Sequence, residues 1–577
     1  MYRVSKATGF SLGCAGSLAT WLCVIATTAA DDDIRTVTIS GRPLPGFGTD
    51  QVNHTTTFGD AVLNNLGEVA YLGQLTGPGV EPKNRDSYWR YTPNQGLELL
   101  ARSSDPAPGR PGQVFQLVLG PVKISDAGHV ELLSHLANAN EVGVRTQHLG
   151  TWVWTPNGIV KLTFINERTP QIAHYFQPTG SLTNELDQQI RGAVVQPSNG
   201  ILPHNQSLWF LDPNAEPQLI AKVGDAAPGL ASGITLSTEF SGFFWGSDRT
   251  IFRMGLAGAG VNATNNFGYW LGDASGSNLQ LIIRNGSQAP GLPAGIAVDF
   301  STIPFVRRPG NGELEFRWLL SGPGINSSNN VAIWTYGSTG LELRAREGDQ
   351  APGLANGVVF EQLSSPTRVV GPGIDTSNDT GIWLLQKDGF KLGVREGDRA
   401  PGTADSVVFS TREVGFETLV FSGTGVVQNK SEQFAFMGYL SGPGVTDAND
   451  VGLWASHRDG ELQLIAREGQ ELDIDDGPGV DMRTIGSIST RTFDATGQFL
   501  NDRGQVLFWA TFTDGSKGLF LSDLVAVSEP CCFTLVATLA AVALRARESR
   551  RRLISVCQRG AHVRQECLSP RALLRRR

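Results

Sequence analysis

Gly322-Pro323-Gly324-Ile325-Asn326-Ser327-Ser328-Asn329-Asn330-Val331-Ala332-Ile333-Trp334 reads as a turn that runs into a strand. Gly, Pro, Asn and Ser dominate its first half, and the β-branched and aromatic residues that follow suit a pleated, half-buried surface. The same spelling, Gly-x-Gly-Val/Ile-x3-Asn-x4-Trp, recurs as Gly79…Asn84…Trp89, Gly260…Asn265…Trp270, Gly373…Asn378…Trp383 and Gly444…Asn449…Trp454. Degenerate copies keep only the aromatic residue, at Trp154 and Trp209, and a last one keeps Gly518-Leu519-Phe520. The eight aromatic positions are spaced by about 62 residues on average, and a fixed period of this kind is the mark of a repeat architecture.

Two further motifs fill out the unit. Ala-Arg-Glu-Gly-Asp-x-Ala-Pro-Gly is clearest at 345–353 and 394–402, with divergent copies ending at Gly109, Gly229, Gly291 and Gly479. Asn-x-x-Gly-x-x-Ala-Phe opens some units, as Asn64…Gly67…Ala70-Tyr71 and Asn501…Gly504…Leu507-Phe508; at 429–436 Glu432 stands where Gly is expected. Each unit therefore reads as four short strands. In the unit ending at Gly353 they are expected near 295–300, 313–320, 331–336 and 341–346. No segment of the body has a sustained helical period.

The expected fold is all-β, a β-propeller-like ring of about eight blades over 31–524. The last unit stops at Asp523 after its third strand, and residues 35–46 spell the missing fourth, Arg-Thr-Val-Thr-Ile-Ser-Gly-Arg-Pro-Leu-Pro-Gly. An N-terminal strand that completes the last blade closes the ring and removes two sheet edges. One unit is short: Trp334 to Trp383 is 49 residues and lacks the Asn-x-x-Gly strand. That leaves a three-stranded blade, or seven blades instead of eight. An open β-solenoid is the alternative.

The formal net charge is −8; the first 30 residues contribute +2 and residues 545–577 contribute +9, which leaves −19 for the body. Such a body argues against a basic nucleic-acid groove. All six cysteines (14, 23, 531, 532, 557, 567) lie near the ends, so the body has neither a disulfide framework nor a thiolate metal site. Residues 1–30 read as a secretory signal peptide: Arg3 and Lys6, an apolar stretch, then Thr28-Ala29-Ala30 before Asp31. The expected location is the cell envelope, the surface or the extracellular space, reached through a signal peptidase.

Near the other end, Ser528-Glu529-Pro530 precedes an apolar run from Cys531 to Leu544 and then Arg545, Arg547 and Arg550-Arg551-Arg552. The run is shorter than the roughly 20 residues that span a bilayer. Segment 525–552 resembles the bacterial PEP-CTERM sorting signal, with Ser528 in place of the first Pro and a basic tail, 553–577, beyond it. The resemblance implies an exosortase-type sorting enzyme as partner, with transient membrane contact through the apolar run. The body motifs together resemble the bacterial tandem-repeat family named for NxxGxxAF. That resemblance implies surface display and supplies no catalytic residues. The function expected is a non-enzymatic structural or binding module for extracellular polysaccharide or a surface protein. The alternative is a secreted polysaccharide hydrolase or lyase with channel carboxylates drawn from the degenerate units, 110–230.

Candidate sites are few. The repeated Trp residues are expected to pack blade on blade. The loop Asn residues are expected to form Asx-type turns. Asp375, Asn378 and Asp379, with Asp447, Asn449 and Asp450, set several oxygens in short Gly-bounded loops and are candidate Ca²⁺ ligands. Otherwise no cofactor is expected. The body's seven His residues are dispersed without metal spacing, and no nucleophile elbow or phosphate loop is present. Glu347, Glu396 and Glu468 recur beside Arg346, Arg395 and Arg467, a spacing that suggests repeated salt bridges or edge-blunting charges.

Overall fold

The computed structural model describes residues 33–526 apart from short interior stretches, the longest being 139–148, 196–204 and 491–498. Segment 1–30, the motif Ser528-Glu529-Pro530 and the basic tail lie outside the described residues. The compact unit that ends at Val525 carries all the described strands, and no helix occurs among the described residues.

The strands form eight antiparallel sheets of four or five strands among the described residues, with two extra two-stranded hairpins. In chain order the sheets occupy 53–102, 113–164, 182–222, 234–284, 297–346, 359–395, 408–467 and 471–522, numbered here as blades 1 to 8. Blade 8 is completed by the N-terminal strand Ile34–Ile39, which pairs antiparallel with Lys517–Ser522. In blade 5 the strands are Ala297–Asp299, Leu314–Ser321, Val331–Gly337 and Gly340–Arg346, close to the sequence expectation. A short extra strand, Phe305–Arg307, also pairs with the second strand and was not anticipated.

The short unit corrects one expectation. Blade 6 keeps four strands, because Val359–Gln362 turns directly into Thr367–Val370 without the Asn-x-x-Gly turn. A brief first strand is enough to fill the place, and eight sheets result.

One register irregularity recurs in every blade. The third and fourth strands slip by one residue beside the repeated aromatic: Ile333 faces Ala345 and Trp334 faces Leu343, and the same step occurs at Trp89, Trp209, Trp270, Trp383 and Trp454. In blade 8 the slip falls between Thr36 and Thr38, opposite Phe520 and Leu519. The N-terminal strand thus repeats the bulge of the fourth strands it replaces. In blade 2 the slip lies opposite Trp152, so Trp152 and not Trp154 is the repeat aromatic.

The bulge turns the indole toward the Ala-Pro-Gly turn that leads into its blade. Nε1 of Trp152, Trp270, Trp334, Trp383 and Trp454 donates to the carbonyls of Pro108, Pro228, Pro290, Pro352 and Pro401, at 2.9–3.1 Å. Trp89 and Trp209 donate instead to Ser87 and Ser207, two residues back on the same strand. The rings are buried, and a buried indole N–H needs a partner. The apolar cores lie between blades: one joins blades 1 and 2, others join 3 to 4, 4 to 5, 5 to 6 and 6 to 7, and one runs through 7, 8 and 1. The last of these, with Val37, Trp89, Leu453, Trp509 and Phe520, closes the ring without a disulfide.

Candidate functional site

An antiparallel four-strand meander puts alternate connections on opposite faces. The first-to-second and third-to-fourth turns share one face, the latch face. The second-to-third loops and the links to the next blade share the other, the loop face.

On the latch face the Asn-x-x-Gly turns join neighbouring blades. Asn64 Oδ1 accepts from the backbone N–H of Leu66 and Glu68, and its Nδ2 donates to the Ser125 carbonyl of blade 2 at 2.9 Å. Asn501 Nδ2 donates to the Asn64 carbonyl at 2.9 Å, and Asn429 Nδ2 to the Asn501 carbonyl at 2.8 Å. A continuous relay therefore runs from blade 7 through 8 and 1 to 2. The residues one place on repeat it: Lys430 N–H donates to Asp502, Asp502 N–H to Asn65, and Asn65 N–H to Asp126. Equivalent positions of adjacent blades come this close only where blades converge, so the relay lies near the ring axis. Ser125-Asp126-Ala127-Gly128 occupies the Asn-x-x-Gly place in blade 2, a copy that sequence reasoning missed because Ser replaces Asn.

Gly67 and Gly504 adopt φ of +79° and +84°, and a Cβ there would meet Gln505 and the Val525 carbonyl within 3 Å. Glu432 holds the same left-handed conformation, φ 64°, with a full side chain. The positive φ explains the Gly of the motif and marks Glu432 as strained.

On the loop face five blades present one loop geometry. The Asn Oδ1 accepts a backbone N–H three residues back, and its Nδ2 donates to the carbonyl of the second Gly; at Asn329 these bonds are 2.9 and 3.1 Å. Asn84, Asn265, Asn378 and Asn449 repeat both bonds. The Val or Ile after the second Gly packs against the cores, as Ile325 and Ile374 do. The three residues between are exposed and differ from blade to blade: Glu-Pro-Lys at 81–83, Asn-Ala-Thr at 262–264, Asn-Ser-Ser at 326–328, Asp-Thr-Ser at 375–377 and Thr-Asp-Ala at 446–448.

The Ca²⁺ candidates lie in two of these loops, in blades 6 and 7. Asp375 Oδ1 accepts from the Ser377 N–H at 2.9 Å and its hydroxyl at 2.6 Å, which holds the carboxyl below its ordinary range. Asp379 pairs with Arg368 at 2.6 Å and accepts from the Thr380 hydroxyl. The Oδ1 atoms of Asn378 and Asn449 are spent on their loops, while Asp447 is exposed and Asp450 half-buried. Among the described residues no group of three or more His, Cys, Asp or Glu side chains gathers to hold a metal ion.

Of the repeated Arg-Glu neighbours, expected as salt bridges or edge-blunting charges, Arg346 and Glu347 take separate partners and do not pair with each other. The fourth strand ends at the Arg, and the Glu is the first residue of the turn that follows. Arg346 Nε donates to the Asn329 carbonyl of its own blade's loop at 3.0 Å, and Arg467 and Arg284 do likewise at Asn449 and Asn265. Glu347 turns inward and accepts the N–H groups of Val331 and Leu363; burial pushes its carboxyl up, against the pull of these donors. His54 is buried with Nε2 3.0 Å from the Tyr71 hydroxyl and its ring edge-on to Phe58 and Trp89. Burial drives its pKa down to about 3, so it stands neutral in the core. The side chains of 161–187 and 191–206, where channel carboxylates of the degenerate units were expected, lie largely outside the described residues.

Eight radial antiparallel sheets closed by a strand from the opposite chain end define a β-propeller. Within that class the chain belongs to the group described as Family of unknown function (DUF7453), which matches three times, over 16–165, 190–369 and 367–534. No curated protein sequence matches. Among solved structures the chain is similar to the β-propeller domain of the Trilobed protease from Pyrococcus furiosus, at 9% identity, covering 72% of this chain and 98% of that one, with a TM-score of 0.33. It is also similar to a post-proline cleaving enzyme from Rickettsia typhi (11% identity, 81% and 57% covered, TM-score 0.37) and to polysaccharide lyase Uly1 (11%, 82% and 91%, TM-score 0.29). At these values the propeller assignment rests on the chain's own sheets and nothing passes over about activity.

Proposed function

We propose that this protein is an exported, surface-displayed propeller that binds extracellular polysaccharide through its loop face. The observation that supports the reading is the set of five loops fixed in shape by the same Asn bonds while their exposed tripeptides vary. A constant scaffold with variable side chains suits recognition, because a polymer contacts several blades at once and weak contacts add. The Asn, Arg and Glu of the repeat are spent on the chain's own backbone, which suits a rigid support for those tripeptides. Export and sorting rest on the terminal segments, and the NxxGxxAF and PEP-CTERM resemblances fit them.

The test is co-sedimentation of the full chain with insoluble cellulose, chitin and cell-envelope polysaccharide. Beside it runs a variant carrying Asp375→Asn, Thr376→Ser, Thr446→Asn, Asp447→Ser and Ala448→Ser, which installs the blade 5 tripeptide in blades 6 and 7. Binding that shifts in the variant at an unchanged melting temperature is expected. Binding that is absent, or indifferent to the loops, contradicts the proposal, and release of new reducing or unsaturated ends assigns the protein to polysaccharide cleavage instead. Mass spectrometry of both termini after fractionation tests export: a species from about Asp31 to about Pro530 is expected in the envelope or medium, and an intact cytoplasmic chain contradicts it.

A further inference from the structure

Both ends of the propeller leave from one place. The N-terminal strand starts at Ile34, opposite Ser522, and the Asp33 carbonyl accepts the N–H of Asp523. Two residues after Asp523, Val525 is buried, and its carbonyl accepts Gln433 Nε2 at 2.8 Å. Gln433 follows the Asn429 turn, and Gly504, whose absent Cβ would lie 2.5 Å from the Val525 carbonyl, belongs to the Asn501 turn. The exit therefore sits on the latch face, fastened to the turns of blades 7 and 8. The antiparallel meander places the loop face at the far end of every strand, about 20 Å away for strands of six or seven residues.

We infer that the propeller is held at the cell surface by its latch face and presents its loop face outward, to a polymer beyond the cell. The inference rests on the display reading above and adds a direction to it. A segment attached after Val525 pulls on the latch face only. The latch face is also the one whose asparagines are buried in bonds between blades, whereas the exposed tripeptides all lie on the opposite side. A polysaccharide approaching from outside then meets the face that carries the five variable loops and the links between blades, and loops on several blades suit a chain lying across them.

Single cysteines test this directly, since the body has none of its own. Ser327→Cys lies on the blade 5 loop face and Ser338→Cys on the third-to-fourth turn of the same blade, both exposed. Asp447→Cys and Asp459→Cys form a second exposed pair in blade 7. Intact cells carrying the full chain are treated with a bulky, membrane-impermeant polyethylene-glycol maleimide, and labelling is measured above that of the wild-type chain with its terminal cysteines. The expected result is modification at 327 and 447 and loss of modification at 338 and 459, with all four modified alike on extracted protein. Equal labelling of both members of a pair on intact cells, or labelling of 338 and 459 alone, overturns the orientation while leaving display intact. Labelling of none until the cells are lysed overturns display, and the orientation with it.

Discussion

The two faces of the ring use asparagine for opposite ends. On the latch face Asn64, Asn429 and Asn501 are buried, and each reaches into the next blade. On the loop face Asn84, Asn265, Asn329, Asn378 and Asn449 close their own loops and touch no other blade through those bonds. The first set carries cohesion between blades, and its loss leaves buried partners unpaired. The second set carries local shape at the water boundary, where solvent replaces whatever is removed. Identity of residue and turn type therefore says little about energetic weight; burial and the blade that supplies the partner decide it.

The largest expected effect comes from removing the strand that joins the latch face to the ring closure. Deletion of 33–40 bares the edge of Lys517–Ser522 and uncovers Leu519, Phe520 and Leu521. Calorimetry should show loss of the single cooperative transition, and gel filtration should show association through the open edge. Next, Asn501→Ala removes two donated and two accepted bonds in a buried turn and should cost about 3 kcal/mol in chemical unfolding. The closing seam carries a further weakness in His54. Its folded pKa lies below that of the unfolded chain, so its stability is fully present above pH about 6.5 and is lost as pH falls toward about 3. Each unit in that window should cost about 1.4 kcal/mol, a slope that His54→Phe removes. Glu432→Gly relieves a left-handed non-glycine residue in the Asn429 turn and should raise stability by about 1 kcal/mol. The smallest effect belongs to Asn329→Ala on the loop face, about 0.5 kcal/mol. If Asn329→Ala and Asn501→Ala cost the same, the contrast between the faces fails.

Much of this architecture is legible in the sequence because repetition states it several times over. The four strands of blade 5 and the N-terminal fourth strand of blade 8 follow from spacing and alternation alone. The wrong aromatic in blade 2 has a simple cause: Trp152 and Trp154 share a strand face, and period two cannot separate them. The partner could have done so, since Pro108 stands 44 residues before Trp152 as Pro290 stands 44 before Trp334. Trp154 has another task, under the guanidinium of Arg90 from blade 1 at 5.1 Å. The Arg-Glu repeat is opaque in sequence because the strand ends at the Arg and the Glu opens the turn, so the two neighbours take different backbone partners. The relay through Asn429, Asn501 and Asn64 was hidden for a different reason: its bonds join residues 72 and 437 positions apart, and a motif read within one unit carries no sign of the next. At the Ca²⁺ candidates, Asp375 Oδ1 and the Oδ1 atoms of Asn378 and Asn449 serve N–H and O–H groups within their own loops, which the spacing of carboxylates does not reveal.

The N-terminal strand closes the ring against the last repeat strand, and a designed crosslink can trap that pairing. Ile34 and Ser522 are cross-strand partners at the two ends of the body, which has no cysteine of its own. A chain carrying Ile34→Cys and Ser522→Cys, oxidised mildly, digested and mapped by mass spectrometry, should yield one peptide that joins the two positions within a single chain. The same digest without that peptide, or with it only in chains linked to one another, would show that the ring does not close through this strand.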